Sequence, residues 1–316
     1  MTALRFDPAL LPDADASPRC AEHAATIVLD PGGSALFVDE VLLIDVALPW
    51  PKPVWAAEGV THVPEAVMAA GESGRRVRAL AAVPLDDGVS RVVGYVREAG
   101  RGPMVRREWH VEPDEVGALA DRLLREGLHT QDERLVDGGD LRREVAICTQ
   151  GSHDVCCGTA GARLVTDLLD ARPDVSVRRV SHTGGHRYAP TGLTFPDGRM
   201  WGFVSVDELV AIVDRAGPPS AIAPRCRGWI GAPPVAQIAE RAVLSASEDW
   251  SIDDVERVVS IAERGNGWVC DVQVGARSWE VVVESGRIVP TIRCRAEGGL
   301  PAKTGREYRV VSIRER

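Results

Sequence analysis

The stretch "CTQGSHDVCCG", residues 148–158, places Cys148, Cys156 and Cys157 within ten positions of a chain that has seven cysteines in 316 residues. Farther along, "SHTGGHRYAP" carries His182 and His186 with three residues between them. Thiolates and neutral imidazoles are the donors that borderline and soft metals take. A thiol can equally serve as a nucleophile once its pKa is lowered, or close a disulfide. The spacing "H-x3-H" would put both rings on one helix face, but Gly184 and Gly185 between them favour a loop that wraps closely around something.

The surrounding pattern places these residues at strand ends. "LRREVAIC" reads as a strand that finishes at Cys148, and a short polar loop then leads to Cys156 and Cys157, immediately before the helical "TAGARLVTDLLDA". "DVSVRRVSH" reads as the next strand, finishing at His182. Loops at the carboxyl ends of strands are where α/β domains place their chemistry. If the two strands are parallel neighbours, Cys148, Cys157, His182 and His186 face one spot, and two sulfur and two nitrogen donors make a metal site the natural reading. Zinc accepts such a set, although the eight residues between Cys148 and Cys157 exceed the usual C-x2-4-C spacing. A wider loop can reach over a larger object.

Composition bounds the remaining possibilities. The chain is 45% hydrophobic and 26% charged, ordinary for a folded protein, and its length allows two or three domains. No apolar run approaches a membrane span, and the first twenty residues lack the basic and apolar regions of a secretory signal. A cytoplasmic location follows as the expectation, and there clustered thiols stay reduced and serve metals or catalysis. The net charge of -9 argues against a nucleic-acid partner.

The pass along the chain gives a repeated order. Residues 36–48 read as buried strand, "VPEAVMAAGES" as a helix, "RRVRALAAVPL", "SRVVGYVRE" and "MVRREWHV" as three strands, and "EPDEVGALADRLLREGL" as a helix. The second half repeats it: strand, helix, strand, a hairpin turning at Pro196-Asp197-Gly198, and the helix "VDELVAIVDRAG". That is the order of a thioredoxin-like domain. The expected fold is α/β and α+β: a thioredoxin-like module without ligands over 1–140, a second over 141–217 that holds the site, and a small α+β domain over 218–316. A Pro/Gly-rich linker, "GPPSAIAPRCRGWIGAPP", would separate the last two. In the third region Cys270 and Cys294 fall in apolar strands and read as inert buried thiols; Cys20 and Cys226 receive no role. The tail "GREYRVVSIRER" reads as a charged edge strand.

"C-x8-C" with a following glycine, "SHxGGHRYAP" and "FPDGRMWG" together resemble the sucrase/ferredoxin-like family, thioredoxin-like ferredoxins with a non-Rieske 2Fe-2S cluster on two cysteines and two histidines. The resemblance is close from about 144 to 204 and weaker before. It implies Cys148, Cys157, His182 and His186 as cluster ligands, with Cys156 either replacing Cys157 or standing beside it, and His153 a solvated loop residue. It also implies electron transfer to or from a redox partner protein, a reductase or an acceptor. Two imidazoles in place of two thiolates raise the potential, and their second nitrogens would couple reduction to protonation. Arg163, Arg187 and Arg199 could add positive charge near such a cluster, Trp201 and Tyr188 could shield it, and Ala189–Pro190 is expected cis. A thiol-based oxidoreductase of the same fold and a structural zinc module remain as alternatives.

Overall fold

The computed structural model describes residues 6–97, 101–136, 143–152 and 155–316; His153 lies outside them. After a short helix α1 (Cys20–Thr26) come β1 (Glu40–Asp45), α2 (Val63–Glu72), β2 (Val77–Ala82), β3 (Ser90–Arg97), β4 (Met104–Val111), α3 (Val116–Glu126) and β5 (Leu135–Val136). The second half runs β6 (Glu144–Cys148), α4 (Ala162–Ala171), β7 (Ser176–Val180), β8 (Thr191–Phe195), β9 (Arg199–Gly202), α5 (Val206–Asp214) and β10 (Cys226–Trp229). These ten strands form one mixed sheet in the order β10-β9-β8-β6-β7-β2-β1-β3-β4-β5.

The two halves of that sheet have the same internal wiring. In each, the first two strands are parallel (β1 with β2, β6 with β7), as a crossover helix between them requires. In each, the third and fourth strands add antiparallel on the far side of the first. A single antiparallel register, Ala82 opposite Val180, joins the halves through β2 and β7. Leu43, Leu80, Val93 and Tyr95 of the first half share one core with Ala146, Leu193, Phe195 and Met200 of the second, and the Tyr95 and Phe195 rings stack at 3.6 Å. The opposite faces are covered by helices. Val116, Leu119, Ala120, Leu123 and Leu124 form the buried stripe of α3, and α5 opens with a Ser205–Glu208 capping box.

Two expectations change on folding. The stretch read as a linker carries β10, which pairs with β9. Beyond it, α6 (Pro234–Ala246) leads to β11 (Arg257–Arg264), β12 (Gly267–Val274), β13 (Arg277–Thr291) and β14 (Lys303–Glu315), a separate antiparallel sheet with β14 at one edge. β13 ends before Cys294, which sits in the following turn and not in an apolar strand.

A buried ion network ties this third region to the large sheet. Arg199 of β9 donates to Glu240 of α6 and to Asp253, and Arg257 of β11 donates to the same two carboxylates. All four side chains are fully buried. Arg199, expected near a cluster, is therefore a fastening, because two carboxylates from beyond residue 230 neutralise it inside the protein. Replacing one member strands an uncompensated buried charge. Arg199→Ala is expected to lower unfolding stability by about 3–5 kcal/mol in urea titrations, against a loss near zero for the exposed Arg163→Ala.

Candidate metal centre

The parallel β6–β7 pair sets the geometry. Cys148, the last residue of β6, lies opposite Val180, and Thr149 N–H continues the pairing to the Val180 carbonyl. The two chains leave the sheet side by side, one toward Cys157 and the other into the 181–190 loop. Gly161 lets the first loop return. A Cβ on it would lie 2.0 Å from the Cys148 carbonyl oxygen, so only glycine lets the helical turn Cys157–Gly161, which leads into α4, press against the strand end. In the second loop Gly184 and Gly185 take φ of +83° and +73°, the left-handed region open to glycine. A short turn, His186–Tyr188, follows, and the Ala189–Pro190 peptide is cis.

Donor atoms of Cys148, Cys157 and His182 all lie within 4.8 Å of one another. Of the adjacent cysteines it is Cys157 that faces this spot. Cys156 points away, into a second group with Cys20 and Cys294 whose sulfurs also lie within 4.8 Å of one another. His186 stands between the groups. Its ring centroid is 6.1 Å from that of His182, and its Nδ1 is 2.9 Å from Cys20 Sγ. The cysteines of both groups are buried except Cys294, which like the two histidines is half-buried. Each group can hold a metal ion.

Electrostatics favour charged sulfur in the first group. Hydrogen bonding from Cys157 holds the Cys148 thiol well below the ordinary thiol range against the opposing effect of burial, helped by His182 and by the backbone N–H groups of Thr183 and Gln150. Gln150 in turn accepts from the His182 N–H at 3.0 Å and so links the two loops. By contrast, burial pushes Cys226 and Cys270 up to about 11, the behaviour of inert thiols.

The nearby cations differ from those the sequence suggested. Arg163 is exposed and points at Asp167, and Arg187 donates to Thr291 Oγ1. The guanidiniums that brace the histidine loop are the half-buried Arg78, which donates to the His182 carbonyl, and the buried Arg227, which donates to the Gly184 carbonyl. Burial pushes Arg227 down to about 10, with Cys157 and Cys148 among the charges that oppose the shift. Both arginines come from strands, β2 and β10, remote in sequence, so no local pattern marks them. Trp201 is a fully buried core residue whose Nε1 donates to Thr194 Oγ1. Tyr188 is buried against Phe203, beside Arg187 and Arg227.

Such a mixed sheet carries at one edge cysteine and histidine donors that could hold a metal ion. The chain belongs to the sucrase/ferredoxin-like family, whose model matches residues 35–228, well over half of the protein and nearly the whole ten-stranded sheet. No curated protein and no solved structure matches it. No helix among the described residues is long and apolar enough to cross a membrane.

The Cys148 shift has a measurable consequence. A thiol whose folded pKa is depressed contributes stability that is fully present above its unfolded pKa, about 8.5, and is lost as pH falls through the folded value. In metal-free protein, ultraviolet thiolate absorbance is expected to persist at pH 7 and to drop in Cys148→Ser. An equal signal in both proteins counts against a charged Cys148.

Proposed function

We propose that this protein is a one-electron carrier of the ferredoxin type, with a 2Fe-2S cluster held by Cys148, Cys157, His182 and His186 in the second of two thioredoxin-like modules. The observation that carries the reading is the convergence of Cys148, Cys157 and His182 donors within 4.8 Å, with the His186 ring beside them, in a chain of the sucrase/ferredoxin-like family. The identical wiring of the two sheet halves supports the tandem thioredoxin-like assignment, the first module serving as scaffold or docking partner.

The donor set fits the group. Two sulfurs, one at the end of β6 and one at the turn that opens α4, and two ring nitrogens from the 181–190 loop suit an asymmetric centre, and the cluster when bound supplies reversible one-electron redox chemistry. Cys148 and Cys157 are the inner ligands, since they are buried. His182 and His186 are the outer ones, since they are half-buried, and their ring edges give the short route to a redox partner docked on the 181–190 loop. With Nδ1 turned to Cys20, His186 would have Nε2 available for the cluster. Arg78 and Arg227 hold the carbonyls of that loop and place positive charge near the site, which favours the electron-rich state.

A second reading, a thiol oxidoreductase with Cys148 as nucleophile, draws on the depressed Cys148 thiol but leaves the paired histidines without a joint role. Anaerobically purified protein is expected to be red-brown, with iron and acid-labile sulfide in equal amounts. His182→Cys and His186→Cys should each keep the colour, lower the midpoint potential and flatten its dependence on pH, because a thiolate adds negative charge and removes a titrating ring. A colourless protein, or potentials unmoved by both exchanges, rejects the assignment.

A further inference from the structure

Five of the seven cysteines gather at one end of the large sheet, and the ferredoxin reading uses only two of them. The remaining three, Cys20, Cys156 and Cys294, come from the first turn of α1, the loop after β6 and the turn after β13. They lie 136 and 138 positions apart in sequence and meet in a small apolar cluster with Ala189 and Ile292. Their spacing is informative. Cys20 Sγ is 3.6 Å from Cys156 Sγ, and Cys156 Sγ is 3.8 Å from Cys294 Sγ. A tetrahedral zinc ion with Zn–S bonds of about 2.3 Å holds its sulfurs about 3.8 Å apart, whereas a disulfide needs about 2.05 Å.

Two further contacts belong to such a site. The Cys20 backbone N–H donates to Cys294 Sγ at 3.4 Å, the kind of bond that orients and stabilises a metal-bound thiolate. His186 Nδ1 lies at hydrogen-bond distance, 2.9 Å, from Cys20 Sγ and so orients that sulfur from outside the group. Zinc is held by three protein ligands with a water in the fourth position as readily as by four.

We infer that Cys20, Cys156 and Cys294 form a second, mononuclear zinc site, with a water as the fourth donor. Each thiol gives its proton to solvent, and the ion replaces the three protons. The site clamps together three segments remote in sequence. Arg295 N–H donates to the Pro18 carbonyl and Gly298 N–H to the Ala16 carbonyl, so the residues before α1 and the turn after β13 already lie side by side, and zinc fastens both to the loop of the first centre. The ion thereby fixes α1 against His186. This inference does not depend on the identity of the metal at Cys148 and Cys157.

The test is metal analysis of full-length protein purified in zinc-containing medium, together with variants at each centre. Wild-type protein should carry one zinc per chain. Cys20→Ser and Cys294→Ser should each lose at least tenfold in zinc retention against a competing chelator while keeping iron and visible colour where these are present. Cys148→Ser should do the reverse, losing the colour and keeping the zinc. Zinc-edge X-ray absorption on unmodified protein gives a reading that needs no variant: three sulfur neighbours at about 2.3 Å support the site, and two place the ion at Cys148 and Cys157 instead and overturn it. Absence of zinc, a disulfide among the three cysteines, or loss of the cluster colour with Cys294→Ser likewise overturns the inference. If iron is absent but zinc is held by three sulfurs, the ferredoxin reading fails and the zinc site stands.

Discussion

Parallel pairing of β6 with β7 is the constraint on which the site depends. Because both strands end at the same edge, the loop that carries Cys156 and Cys157 and the loop that carries His182 and His186 start within one strand spacing of each other. An antiparallel pair would send them to opposite ends of the sheet. The crossover through α4 makes the parallel arrangement possible, and Gly161, pressed on the Cys148 carbonyl, brings the entry to that helix back against the strand end. Binding chemistry at this point is therefore a property of topology first and of side chains second.

Around that edge the chain builds a shell from distant parts. Arg227 of β10 and Arg78 of β2 each hold a carbonyl of the histidine loop, so both neighbouring strand systems set where the imidazoles stand. The Arg199–Glu240–Asp253–Arg257 network anchors α6 and the second sheet to β9, which holds the third region in place while the turn after β13 reaches back toward α1. The residues before β1 also take part: α1 meets His186 through Cys20. Charges that are costly to bury are paired or spent on backbone carbonyls, and that pairing selects one arrangement of the segments.

Much of this was legible in residue patterns. Alternating and continuous apolar runs located most strands, and helical spacing located α2 to α6. The repeat of strand, helix, strand, hairpin and helix anticipated two halves with equal wiring. Cys148 was marked as a strand end, while the strand read as finishing at His182 stops at Val180, two residues earlier; of the adjacent pair, Cys156 has its side chain turned to the other sulfur group. Less legible was β10, hidden in a stretch whose proline and glycine content reads as linker, because four residues pairing on one side carry too little pattern to be seen. Cys294 read as a strand residue because the apolar run of β13 continues into the turn. Arg199, judged by nearness in sequence to the histidines, pairs instead with carboxylates more than forty residues away.

What the sequence determined by itself was the inventory of donors, the local elements that carry them and the family to which the chain belongs. These follow from short-range rules, since periodicity, glycine placement and motif spacing act within a few residues. Tertiary structure alone decided which cysteines share a centre: that Cys156 turns from its neighbour toward Cys20 and Cys294, that His186 stands between two sulfur groups, and that Arg78 and Arg227 brace the loop. The reason is physical. Sulfurs 136 positions apart meet only when sheet pairing, buried ion pairs and the covering N-terminal segment have fixed three remote pieces of backbone relative to one another, and no local pattern encodes that sum.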